Sequence, residues 1–286
     1  MKAQFTNLVM SSLALWMNNT LLEKGEAFVN HHSYFYPIGR TISGYHTYAA
    51  PFNQFVSDLS VTGATVLTGV YLDSSFITTG QSGLTDINYE KGHVYFTTEI
   101  TGLNRISGSF AVKDFNVVLT SEPEEKLLFE TRYPIRPKMG RTITGLLNNE
   151  LTYPVVFLKE KGGDNEPLAF GGMDNTIVYV TAVVLADSAF ALDAATSILK
   201  DKVRTYVPLF SADEMPYNMM GGFKNGNFNY TGVTANKIAN DSGVFINKVS
   251  VSKLNVRSTT DVKLLNPEAY FALVDLELHK PRYPRA

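Results

Sequence analysis

Apolar and polar residues are spaced in three different ways along this chain, and each spacing predicts its own kind of element. Over residues 5–22, Phe5, Leu8, Val9 and Trp16 fall on one helical stripe while Met10, Leu13 and Met17 form a second beside it, with Gly25 placed to cap the end. A helix apolar nearly all round is buried, either in the core of its own chain or against a neighbouring subunit. The spacing leaves both open and makes Trp16 and Met17 candidate interface residues. Over residues 61–120 the pattern is that of short strands between turn residues. Val66-Leu67 and Val70-Tyr71-Leu72 precede the turn Asp73-Ser74-Ser75, and Phe76-Ile77-Thr78-Thr79 precedes Gly80-Gln81-Ser82-Gly83. Ile87-Asn88-Tyr89, His93 to Thr98, Phe110-Ala111-Val112 and Phe115 to Leu119 continue the series.

The third spacing is apolar on both faces. In residues 176–185, Ile177, Tyr179, Val183 and Leu185 alternate with Val178, Val180, Ala182 and Val184, as in a central strand covered on both sides. Asp187 or Ser188 then caps a helix whose Ala191, Ala194, Ala195, Ile198 and Leu199 share a face, and Lys200, Lys202 and Arg204 complement the dipole at its C-terminal end. Residues 153–158, 244–246, 248–256 and 269–278 read as further strands, and the basic, Pro-interrupted tail 279–285 reads as extended.

The expected fold class is mainly β or α+β: a β-sandwich-like first domain carrying the N-terminal helix, and a second α+β domain with a helix packed on a sheet. The expected division is an N-terminal helix and extended aromatic arm over 1–60, a β-rich domain over 61–162 and an α+β domain over 163–286. Its last boundary falls at the turn-rich run Gly162-Gly163-Asp164-Asn165-Glu166-Pro167. Residues 26–59, with Tyr34-Phe35-Tyr36-Pro37 and Tyr45-His46-Thr47-Tyr48, are expected to wrap along a seam rather than pack as a unit.

Composition changes this picture in one respect. Of the 286 residues, 44% are hydrophobic and 18% charged, the latter below the roughly 25% usual for soluble domains, which favours a protein that lies against other chains. A net charge of −2 lowers the expectation of specific nucleic-acid binding or of an anionic membrane as partner. With no Cys, disulfides and thiolate metal sites are excluded. Lys2 stands alone ahead of residues 5–22, and Asn7, Ser11 and Ser12 interrupt them, which fits neither a secretory signal nor a membrane span.

Candidate chemistry is sparse. The adjacent pair His31-His32 points two ways on a strand or helix, so no metal site is expected. The acidic run Ser121-Glu122-Pro123-Glu124-Glu125 reads as a solvated face, and nucleotide, hydrolase, zinc and EF-hand motifs are missing. No catalytic residue and no cofactor is expected. Two segments repeat each other: Gly39-Arg40-Thr41-Ile42 and Gly140-Arg141-Thr142-Ile143, each a few residues after a Tyr-Pro pair. They read as paired loops or extended arms in which Arg40 and Arg141 meet acidic groups, most usefully on an adjacent protomer. The Gly-, Asn- and aromatic-rich run 217–230, with Tyr217, Phe223 and Tyr230, reads as an intersubunit loop or as a surface on which sugars stack.

The opening Met1-Lys2-Ala3-Gln4-Phe5-Thr6-Asn7-Leu8-Val9, the block from Gly69 to Leu84, Ile87-Asn88-Tyr89 and Phe170-Gly171-Gly172 resemble uncharacterised virion structural proteins of marine tailed bacteriophages, T-even-like cyanophages in particular, over most of the chain. The resemblance implies a virion component synthesised in the host cytoplasm, of the neck or head-to-tail connector type (adaptor, stopper or tail terminator). It implies a homo-oligomeric ring in contact with other virion proteins, and no active site. The alternatives are a capsid decoration or fibre-attachment protein, or a carbohydrate-binding receptor module built on the 217–230 run; an enzyme is the last choice.

Overall fold

The computed structural model describes residues 4–42, 44–101, 105–129, 135–136, 151–169, 172–217, 224, 228–240, 242–254 and 270–283. The class is as expected, mainly β, with 47% strand and 21% helix. The first helix, α1 (Phe5–Gly25), runs through Gly25, and Glu26 rather than glycine takes the left-handed position that ends it, at φ 45°. Its apolar side chains are buried all round: no residue from Leu8 to Glu23 is exposed, and Val9, Leu13 and Met17 have no accessible surface.

The expected aromatic arm is instead two strands, β1 (Phe28–Ile42) and β2 (Tyr45–Ala49). With β3 (Gly69–Leu72), β4 (Ser75–Thr78), β5 (Leu84–Asn88), β6 (His93–Phe96) and β7 (Ile106–Lys113) they form a seven-stranded sheet ordered β4-β3-β7-β1-β2-β6-β5. Phe28 to Phe35 of β1 pair with β7, and from Tyr36 onward the strand pairs with β2 across an irregularity between Pro37 and Thr41. Proline donates no ladder bond, so it is tolerated where the pairing shifts. Polar and aromatic residues here serve a strand with one face to solvent, which is why they resemble a wrapping arm in sequence.

The next strand, β8 (Asn116–Leu119), leaves that sheet for a second one. A short helix, α2 (Glu124–Phe129), and the parallel pair β9 (Ile135–Arg136) and β10 (Leu151–Thr152) follow. The second sheet is completed by β11 (Val155–Ala169), β12 (Met173–Ala186), β13 (Tyr206–Pro208), β14 (Gly243–Leu254) and β15 (Tyr270–Arg282), in the order β13-β14-β15-β12-β11-β8. The expected boundary at 162 therefore lies inside a strand: β11 pairs with β12 from Val155 to Ala169, with a bulge between Glu160 and Gly162. Glycines mark the place because Gly162 sits at φ 106° and a Cβ on Gly163 would lie 2.2 Å from the Ile177 carbonyl oxygen. The tail is extended as expected, β15 continuing to Arg282.

β12 is central, and its two faces bury different cores. Val178, Val180, Ala182 and Val184 join one large cluster with α1, the seven-stranded sheet and α3 (Ala189–Lys200), whereas Val183 and Leu185 join Leu127, Leu151 and Phe157 on the other side. Ser188 caps α3, its Oγ accepting from the Ala191 N–H at 3.1 Å. The buried face is Leu192, Ala195, Thr196 and Leu199, and Ala194, expected inside, is exposed. Residues 230–239 form a helix not expected from the sequence, α4 (Tyr230–Ala239), capped by the Asn229 side chain accepting from the Gly232 N–H at 2.7 Å.

One buried carboxylate ties these parts together. Asp58, 2% exposed, accepts from the Ser60 N–H (2.9 Å), the Ser60 hydroxyl (2.7 Å), the Tyr230 N–H at the start of α4 (2.9 Å) and the Asn19 side-chain amide of α1 (2.9 Å). Removing such an acceptor strands several buried donors, each costing about 1–3 kcal/mol. Asp58→Ala is expected to lower unfolding free energy in urea by on the order of 3 kcal/mol. Asp58→Asn, which keeps one acceptor oxygen but turns an N–H donor into the network, is expected to lower it by less. A loss under about 1 kcal/mol for the alanine variant would show that the network does not hold these elements together.

Candidate functional site

The residues singled out in sequence come to rest in different places. Trp16 and Met17, candidates for an interface, belong to the chain's own core, 6% and 0% exposed. Tyr230 is buried too, with its N–H on Asp58, so its ring offers no face for a sugar to stack on. Tyr217 packs beside Phe228 at 6.3 Å between ring centroids and shares a 3.0 Å hydrogen bond between its hydroxyl and that of Ser57. The backbone of the first Gly-Arg-Thr-Ile segment is the end of β1, extended and paired through Thr41 with His46 of β2. The side chains of Arg40 and Ile42 lie outside the described residues, as do Arg141, Ile143 and Phe223 altogether. His31 stacks on Phe52 at 4.3 Å, while His32 meets the Ser109 hydroxyl at 2.9 Å, so the pair does not converge.

Two other features emerge only from the fold. The first is an aromatic row on the outer face of the seven-stranded sheet. Phe76 of β4 is opposite Tyr71 of β3, Tyr71 opposite Ser107 of β7, and Ser107 opposite Tyr34 of β1. Residues directly opposite share a face, and Tyr36 lies two residues beyond Tyr34 on the same one. All four aromatics are open to solvent: Tyr34 45%, Tyr36 58%, Tyr71 39% and Phe76 48% exposed. Tyr71 and Phe76 rest on each other at 5.1 Å, and the Arg105 guanidinium sits 6.0 Å from the Tyr34 ring centroid.

The second is a polar cleft of about 490 Å³ where the chain passes from one sheet to the other. Gln54 and Ser57 come from the segment after β2, Asn88 to Lys91 from the β5–β6 turn, Lys113 and Asn116 from the ends of β7 and β8, and Tyr217 from beyond β13. The segment after β2 is stitched in on both sides. The Gln54 and Phe55 N–H groups donate to the carbonyls of Glu90 and Tyr89 at 2.8 and 2.7 Å, and Val56 N–H donates to the Ala111 carbonyl at 2.8 Å. Asn116 is fixed by its side-chain amide donating to the Thr152 carbonyl at 2.6 Å. Burial pushes the Tyr217 hydroxyl up to about 12, opposed by its bond to Ser57, so it stays a neutral donor and acceptor at neutral pH.

Two measurements follow from these placements. Because Trp16 and Met17 fill the core, Trp16→Ala and Met17→Ala are each expected to cost about 2–5 kcal/mol of stability, read as a lowered melting midpoint of the isolated chain. Unchanged melting together with impaired association would restore an interface role. Burial, and after it the Lys91 charge, lowers the pKa of His93 to about 4 from an ordinary 6.5. The unfolded chain takes up that proton near pH 6.5 and the folded chain only near 4, so stability is complete above about 6.5 and falls as pH drops toward 4. Urea midpoints at pH 7 and 5 should differ more for the wild type than for His93→Gln; equal differences would remove His93 as the cause.

No protein-family model matches this chain, and no curated protein matches it.

Proposed function

We propose that the protein is a non-enzymatic structural component of a tailed-phage virion, part of the neck or head-to-tail connector, where it forms a homo-oligomeric ring with other virion proteins as neighbours. The observation that carries this reading is the exposed row Phe76, Tyr71, Tyr34 and Tyr36, with Arg105 at its side. Tyr, Phe and Arg are enriched where one chain packs on another, since an aromatic ring buries a large area at little conformational cost. The low charged fraction of 18% points the same way. The resemblance of the opening residues and of the block from Gly69 to Leu84 to phage virion proteins supplies the kind of assembly. Two of the row's members, Tyr71 and Phe76, belong to that block.

Mass spectrometry of purified virions separated into heads, necks and tails is expected to find the chain in the neck fraction, and finding it only in infected cells would sink the reading. Tyr34→Ser, Tyr71→Ser and Phe76→Ser are each expected to weaken assembly by about 1–2 kcal/mol, roughly tenfold in association. Being at exposed positions, they should leave the stability of the monomer within about 0.5 kcal/mol. Normal assembly of the triple variant would mean that this face is not the interface.

A further inference from the structure

Lys113 and Gln54 stand side by side in the cleft, joined through the backbone by the Lys113 N–H donating to the Gln54 carbonyl at 2.9 Å, and their side chains have complementary deficits. The Lys113 ammonium donates to the Asn18 side-chain oxygen at 3.1 Å, and among the described residues it makes no ion pair. An ammonium carries three donors, so two remain. Burial lowers its pKa, and of the carboxylates only Glu90 raises it appreciably. Gln54 is 8% exposed, held in the left-handed region at φ 59°, and its buried Oε1 has no hydrogen-bond partner among the described residues. A cation with donors to spare and a buried acceptor lacking a donor thus belong to two residues that line one space.

We propose that this cleft binds a small oxyanion that also carries a hydrogen-bond donor, its charged oxygens on Lys113 and its O–H or N–H on Gln54 Oε1. A neutral hydroxyl compound would leave the ammonium without an ion pair, and an oxyanion with no O–H or N–H would leave Oε1 unmet. The rim carries both signs, Lys91 and Glu90, both exposed. Inside, Ser57, Asn88 and Tyr217 add neutral polar groups. A space of about 490 Å³ lies within the range of small-molecule sites and is far larger than one tetrahedral ion, so the natural ligand is a hydroxyl-bearing phosphomonoester or a hydroxy-acid rather than the bare anion.

Inorganic phosphate and sulfate separate the two halves of the idea, because they share size and shape but only phosphate retains a proton near pH 7. Titrating the full-length protein and following backbone and Gln side-chain amide resonances, phosphate is expected to bind and to shift the Gln54 amide, with sulfate about fivefold weaker, as the loss of one buried hydrogen bond implies. Gln54→Met should abolish that preference while retaining weak binding of both ions, and Lys113→Met should abolish binding of both. Circular-dichroism melting confirms that each variant is folded, and the wild-type comparison stands without them. Equal affinity for the two ions, shifts mapping away from Gln54 and Lys113, or no response to phosphate would each overturn the assignment.

Discussion

Between Leu8 and Glu23 no residue of α1 is fully exposed, and a helix so largely buried must place its polar side chains as carefully as its apolar ones. The Ser12 hydroxyl, fully buried, accepts from the Phe210 N–H at 2.8 Å, just beyond β13. The Asn18 side chain accepts from Lys113 at the end of β7, and Asn19 donates to Asp58. Glu23 accepts from the Thr62 N–H at 3.3 Å. These four polar residues of the helix thus hold the segment after β13, the end of β7 and, at two points, the segment after β2, and the helix also touches β8 and β13, the two edge strands of the second sheet, as well as α3. Sliding α1 by one residue would break all of these bonds together. The wide apolar surface makes the helix buried, whereas its few polar atoms decide where.

The same constraint accounts for the cleft. The chain has to leave the seven-stranded sheet after Lys113 and enter the other at Asn116, and ladder pairing stops in between. The backbone groups there are met one by one: Asp114 N–H by the Ala27 carbonyl, Asn116 N–H by the Pro154 carbonyl, Lys113 N–H by the Gln54 carbonyl. A crossing of this kind collects polar side chains because buried backbone away from a ladder still needs partners. At Gln54 and Lys113 the collection is incomplete, and that sets this crossing apart from an ordinary one.

What the sequence discloses here is what depends on neighbours along the chain. The turns at Asp73, Gly80 and Gly92 separate β3 to β6 much as their residue types imply, with positive φ at each of the three. The Ser188 cap and the two-faced β12 are equally local signals. Where pairing over distance decides, the signal fails. The glycines at 162 and 163 look like a linker, and only their pairing with Tyr179 and Val178 makes them a bulge. α4 has Val233 and Ile238 turned outward, 40% and 56% exposed, so it lacks the apolar stripe that would announce it. Trp16 on a wide apolar helix reads the same whether it meets its own chain or another. Tyr34 and Tyr71 become neighbours through Ser107, and no spacing along the chain contains that register.

The surface itself is treated in two opposite ways. Beyond Leu158, β8 no longer pairs with β11, so the far half of that strand presents an edge among the described residues. That edge holds Lys159, Glu160, Lys161, Asp164, Glu166 and Pro167 and the bulge between Glu160 and Gly162, and Lys161 is paired with Glu124 and Asp275, both at 3.2 Å. Charges, proline and a bulge are the devices that keep one strand edge from pairing with another. The outer face of the seven-stranded sheet has no such protection along Phe76, Tyr71 and Tyr34. On the proposed function, contact with another chain would run through side chains on the face of this sheet, whose rings a partner's surface must fit, rather than through the blunted edge of β11, where backbone pairing would accept almost any extended strand.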